Sequence, residues 1–297
     1  MTTIIQWPYF YSRGRTTGFT ITTIIVSLCF VLGPMGTALA GEYQVIDVSD
    51  GGTLKGVALW KGEIPKVPPL KVFADMDTCG EKVDSPVLLI DPKTKGLRNV
   101  LVYLENIEKG KPAEQKYWLH MGRSENEPRS RVCLFEEHVF PFVRTSDVAL
   151  INFDPILHNP HFFTEKHASI FNIAMPTPNR EIDKKILRAR GVGIRFQCDV
   201  HVQMNAWMAA FDHPYFALTD EQGNFEITGI PPGKYALVAW HEGFNIEKFV
   251  SSRPTYDEPH VIKKQIEVTP KGTVVERFEF PVREVDVEWK IAGGEDS

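Results

Sequence analysis

Short apolar runs and apolar–polar alternations follow one another along this 297-residue chain, with Gly, Pro, Asn or Asp between most of them. Residues 54–60 and 100–104 open the series, and Val148-Ala149-Leu150-Ile151 is a short buried-strand candidate. Between 193 and 200, Ile194, Phe196 and Cys198 fall on one face and Arg195 and Gln197 on the other, the period of a half-buried strand. Segments 224–227, 235–240, 266–268 and 274–280 repeat the signature, and Val285, Val287 and Trp289 alternate with acids in a last strand. Residues 182–190 read either as one short helix or as a charged edge strand. Many short strands between turn residues predict an all-β chain built as sandwiches.

The first 40 residues stand apart. Arg13 and Arg15 precede an apolar run over 19–32, and Ala38-Leu39-Ala40 supplies a small-residue cleavage site, the layout of a secretory leader. The run is short for a membrane span and is broken by Gly33 and Pro34. The expectation is a periplasmic or otherwise secreted protein, with no stable membrane insertion once residues 1–40 are cleaved. Loss of two arginines changes 33 basic and 38 acidic residues to 31 against 38. With no basic cluster either, nucleic acid and anionic membrane surfaces are poor partners. Three cysteines then remain, an odd number for an oxidising compartment. One consistent solution pairs Cys79 with Cys133 and keeps Cys198 as a metal-bound thiolate. A free thiol at Cys198, or a bridge that uses it, is the alternative.

The candidate chemistry is concentrated in Cys198-Asp199-Val200-His201-Val202-Gln203-Met204, read with His158-Asn159 upstream. Thiolate, two imidazoles and a thioether favour copper in a site that changes between Cu(I) and Cu(II). Strand alternation aims Cys198 inward, places His201 and Met204 on the following turn, and leaves one exposed ligand edge as an outlet for electrons. His158 follows the polar turn Asn152-Phe153-Asp154-Pro155, and Asn159 is placed to hydrogen-bond across to the Cys198 loop. His161 competes with His158, and Met208 with Met204. The two methionines with Trp207 would also suit a helical turn in a core. His138 reads as a surface histidine at a strand start, or, if Cys133 bridges to Cys79, as a residue near that staple that approaches the copper end.

At these residues the chain resembles the cupredoxins. Cys198, His201 and Met204 have the C-x-x-H-x-x-M spacing of the amicyanin branch, and Asn152 with His158-Asn159 resembles the plastocyanin approach to the first histidine. Phe196-Gln197-Cys198 matches the aromatic-x-Cys pattern before the copper cysteine. Val202 stands where proline is usual. The resemblance implies a Greek-key sandwich with one type 1 copper, His158, Cys198 and His201 equatorial and Met204 axial, and single-electron exchange with a cytochrome or dehydrogenase.

A second module is built around Thr219-Asp220-Glu221-Gln222-Gly223-Asn224-Phe225-Glu226-Ile227 and Gly229-Ile230-Pro231-Pro232-Gly233-Lys234-Tyr235-Ala236-Leu237. Asp220 and Gly223 suit a hairpin turn, and Pro231-Pro232-Gly233 a second reversal. The pattern resembles carboxypeptidase regulatory-like, transthyretin-type domains, modules without chemistry of their own. The organisation expected is a leader over 1–40, a β segment over 41–110, a cupredoxin-like sandwich over 111–212 and a transthyretin-like sandwich over 213–297. Residues 41–110 would stand alone or supply opening strands to the second sandwich. Trp60 and Trp240 read as buried core sooner than as a sugar platform.

No catalytic Ser/His/Asp spacing, P-loop or dinucleotide-binding glycine pattern appears, so an enzyme is not expected. The rival reading is a non-redox exported β-sandwich protein that binds a protein or glycan partner. Its metal site would be vestigial or a closed zinc site of Cys198, His201, His158 and His161.

Overall fold

The computed structural model describes residues 43–122 and 132–281. The leader over 1–40 and the strand expected at 285–289 lie outside them. The described chain is nearly all β, and the alternations read above become strands whose apolar faces are buried. In Gly191–Cys198, Ile194, Phe196 and Cys198 are all buried, while Arg195 and Gln197 are half-exposed.

Two pairs of sheets enclose two cores. A five-stranded sheet runs in the order Ser169–Asn172, Pro160–Phe163, Gly191–Cys198, Asn205–Phe211, Val139–Val143. Facing it is a three-stranded sheet of Glu181–Lys184, Asp147–Asn152 and Lys116–Met121. Phe135, Phe162 and Phe196 fill the space between with Leu119, Leu150, Met204 and Met208. Residues 182–190 therefore begin as an edge strand, paired with Asp147–Asn152. Met208 lies on a strand opposite Ile194, so the helical-turn reading of Met204 and Met208 does not hold.

The second pair draws strands from both ends of the described chain. Phe216–Leu218, Leu101–Glu105, Gly233–His241 and His260–Val268 form one sheet. Asn224–Ile230, Gly52–Trp60 and Thr273–Phe280 form the other. Strands within 41–110 thus share sheets with strands beyond 213, and Trp60 and Trp240 are buried. The Asp220–Gly223 turn links strands of opposite sheets, where a hairpin was expected. The reason is that Gly52–Trp60 and Leu101–Glu105 take the partner edges a hairpin would have used. Its local chemistry is as read: Asp220 Oδ1 accepts from the Gln222 and Asn224 N–H groups, and Gly223 sits at φ 82°. Any Cβ at 223 would lie 2.2 Å from the Ala58 carbonyl oxygen.

Leu101, Val139, Ala209, Phe211 and Trp240 form a smaller apolar cluster that joins the two cores. A two-stranded ribbon, Ile246–Val250 and Arg253–Tyr256, extends from the second pair. Ser251 and Ser252 both adopt positive φ at its tip, as a two-residue type I′ turn requires.

Candidate metal centre

Cys198 ends its strand with its side chain in the core. The chain then turns tightly, the Met204 N–H donating to the His201 carbonyl and the Cys198 N–H to the Met204 carbonyl, each at 3.0 Å. His158 is placed by a two-way backbone bridge to Met175. Asn152 secures the approach, its Nδ2 donating to the Ile156 and Met175 carbonyls at 2.8 and 2.9 Å.

These elements bring His158, Cys198 and His201 together. Nδ1 of His158 lies 3.1 Å from Nδ1 of His201, and Cys198 Sγ lies 4.0 and 3.7 Å from the same two nitrogens. Such a triangle has a centre about 2.1 Å from each corner, against first-row metal bonds of ~2.0 Å to imidazole and ~2.3 Å to thiolate. The centre falls inside the triangle, so three soft or borderline donors can surround one ion in their own plane. Met204 is fully buried in the same core, and its backbone closes the loop that carries Cys198 and His201.

Each imidazole has a carboxylate behind it. His158 Nε2 is 2.9 Å from Asp154 Oδ2, and His201 Nε2 is 3.0 Å from Asp75 Oδ2. A carboxylate on Nε2 keeps that nitrogen protonated and strengthens the ring as a ligand, while Nδ1 either donates to the Cys198 thiolate or, once its proton has left, presents its lone pair to an ion. Asp154 is held in turn by the Cys133 N–H at 2.8 Å. Asp75 adopts φ 50° just before the short helix Met76–Cys79, and Cys79 is joined to Cys133 by a disulfide. One staple therefore anchors both carboxylates, while Cys198 is free and buried, alone in this among the described cysteines.

Burial alone pushes the Cys198 thiol up, yet hydrogen bonds from both imidazoles and from the Asn159 N–H at 3.2 Å bring it down to about 6. Burial likewise acts against charge on His158, but Asp154 and the thiolate raise it to about 8. The pocket is thus built to hold a thiolate, the form that binds metal. The contact expected from Asn159 is made by its backbone: its N–H reaches the sulfur and its carbonyl accepts from Asp199.

One alternative falls away, and one expectation is corrected. His161 does not join the group, because Pro160 pairs with Cys198 and alternation turns the next residue to the outer face. There its nitrogens meet Asp199 and Ser169, each at 2.9 Å, so the four-residue zinc set is not assembled. Nor is any ligand edge exposed. His158, Cys198, His201 and Met204 each show 0% accessibility, because Asp75 and its turn cover the His201 ring.

Sequence reasoning also missed a cation. Arg253, at the tip of the ribbon, is buried and donates to the Cys198 carbonyl at 2.5 Å, to that of Val202 at 3.2 Å and to that of His201 at 3.4 Å. It holds the ligand loop by its backbone. Asp154 had a faint signal as the residue four before His158, whereas Asp75 and Arg253 had none.

Residues 189–274 match the family profile of polysaccharide lyase family 4, domain II, a stretch that covers the end of the first sandwich and much of the second. No curated protein sequence matches the chain. Among solved structures, a reduced amicyanin variant is 14% identical over 34% of this chain and 86% of its own, with a TM-score of 0.25. A purple cupredoxin from Nitrosopumilus maritimus is 12% identical over 32% of this chain and 98% of its own, also at 0.25. A pseudoazurin from Sinorhizobium is 20% identical over 34% and 76%, at 0.24. At such identities a likeness concerns the fold alone, and the donor geometry above stands independently of it.

Proposed function

We propose that this chain is an exported type 1 copper protein that carries single electrons and is not itself an enzyme. The observation that supports this most directly is the buried donor triangle, whose centre suits one first-row ion held by two imidazoles and a thiolate. Among the described residues no fourth His, Cys or carboxylate joins those three, which disfavours closed tetrahedral zinc. A trigonal set of two nitrogens and one sulfur with a weak thioether, for which Met204 is our axial candidate, suits copper. Copper bound there would supply a reversible one-electron couple.

The protein's own residues limit rearrangement during that change. Asp154 and Asp75 hold the two rings, the Asn159 N–H holds the sulfur, and Arg253 pins the loop. The Cys79–Cys133 disulfide supports an oxidising compartment, in line with the leader read at 1–40. Among the described residues no helix is long and apolar enough to cross a membrane. The partner would be a redox protein, a cytochrome or dehydrogenase, docked with help from the second sandwich.

Purified protein supplied with Cu(II) should show an intense visible thiolate-to-copper band that bleaches on reduction and is absent in Cys198→Ser. Protein that holds zinc in preference to copper, or that binds copper without this band, refutes the proposal.

A further inference from the structure

A cleft of about 350 Å³ lies beside the ligand loop, where the two sandwiches meet. Arg195, Ala206 and Trp207 line it from the first, and Glu242, Pro254 and Tyr256 from the second. Two of the acids in its lining are occupied within the protein. His138, expected at the surface, is 5% exposed, and its Nε2 is hydrogen-bonded to one oxygen of the Glu242 carboxylate, while Trp207 Nε1 donates to the other at 2.5 Å. Asp257 accepts from the N–H and the side-chain amide of Asn245, at 2.9 and 2.7 Å.

Arg195, half-buried in the same lining, has no such counter-charge. Among the described residues no carboxylate pairs with it, and its one side-chain hydrogen bond runs from Nη2 to the uncharged Asn205 Oδ1 at 2.7 Å. A guanidinium presents a planar fork of N–H donors, so most of them remain available. None of its nitrogens is sealed from solvent without a partner, so the free N–H groups open onto the cleft. Arg253 leans on the same Asn205 oxygen at 3.5 Å. Burial lowers the pKa of both arginines, and the nearby Arg195 lowers that of Arg253 further. Two partly desolvated cations thus share a neutral acceptor, a cost that an anion on Arg195 would offset. Glu242, Asp257 and the exposed Glu258 repel a dianion, which limits the charge to one. A carboxylate matches the fork with two parallel hydrogen bonds. Trp207 and Tyr256 add half-buried aromatic faces against which a flat ring can pack, in a volume at the small end of ligand cavities.

We propose that this cleft is a second ligand site, taking a small aromatic monocarboxylate. Its carboxylate accepts from the Arg195 guanidinium while its ring packs on Trp207 and Tyr256. The site stands apart from the metal reading and needs no ion at Cys198.

Benzoate titrated into the full-length protein, with calorimetry and tryptophan fluorescence as readouts, should bind saturably. Benzamide keeps the ring and lacks the charge, and should bind about tenfold or more weakly, as loss of one charge-assisted hydrogen bond predicts. Arg195→Met should weaken benzoate by a similar factor, with thermal melting to show that the variant is folded. Inorganic phosphate at the same concentration should leave benzoate in place. Binding should persist in Cys198→Ser, so that failure here and failure of the copper reading are told apart. The inference is overturned if benzoate does not saturate the protein, if benzamide binds as tightly, or if phosphate displaces benzoate. Loss of binding in Cys198→Ser, or parental binding in folded Arg195→Met, overturns it equally.

Discussion

Arg253 is where the second sandwich meets the candidate metal centre, and its replacement tests that coupling. In Arg253→Met the apolar stem is kept and the guanidinium is lost. Two of its hydrogen bonds, to the carbonyls of Cys198 and Val202, carry the clamp, and those to the His201 carbonyl and the Asn205 side chain, at 3.4 and 3.5 Å, are marginal. A hydrogen bond from a charged group contributes ~1.5–3 kcal/mol, so two contribute about 3–6 kcal/mol gross. Relief from burying the cation offsets part of this. The exchange is not the favourable replacement of a whole ion pair by apolar groups, because the carbonyls of Cys198 and Val202 stay behind without their donor. A net loss of about 3 kcal/mol follows. In a protein of this size that lowers the melting temperature by roughly 6–12 °C, at ~2–4 °C per kcal/mol. Urea unfolding followed by tryptophan fluorescence reads the free energy, and amide exchange at Cys198 and Met204 reads the loop itself. A loss below about 1 kcal/mol with unchanged exchange at those two amides would refute the clamp.

Acid should destabilise the protein through two histidines kept neutral by burial. His213 and His241 are buried and depressed to about 4, with desolvation the leading cause for each. The unfolded chain binds protons that these rings refuse, so stability is complete above about pH 6.5 and falls as pH drops towards 4. The full loss is of order 3 kcal/mol for each ring. His241→Phe should flatten the slope of urea midpoint against pH between 7 and about 4.5, and a slope unchanged from the parent would contradict this. At the metal centre, Asp154→Asn should lower metal affinity by about 10–100-fold while keeping the amide near His158, measured by competition with a chelator. Unaltered affinity would show that the ring needs no carboxylate behind it.

What the sequence made legible follows the distance over which each contact acts. Cys198, His201 and Met204 are close neighbours in the chain, so a motif could join them, and strand alternation alone placed Cys198 in the core. His158 was favoured over His161 by the residues around it, and the physical reason is the pairing of Pro160 with Cys198, a register that local pattern does not fix. Asp75 reaches His201 across 126 residues, and Glu242 reaches His138 across 104. No periodicity encodes such contacts. The strand Val139–Val143 was hidden by Pro141 at its centre, and Lys116–Met121 by its mixed polar composition. The Asp220–Gly223 turn was right in its chemistry and wrong in its topology. Turn residues specify a bend, whereas which strands fill the neighbouring edges is decided elsewhere in the chain.

The covering turn at Asp75 has a consequence for how the centre is filled. Its carboxylate meets the outer nitrogen of His201, and the helix that follows is tethered through Cys79 to Cys133, the residue whose own N–H holds Asp154. An ion entering the proposed centre would have to pass this cap, and the tether closes a loop 54 residues long against its outward swing. If the centre holds metal, entry would be easier before those two sulfurs are joined than after, so the order of the two events would bear on retention.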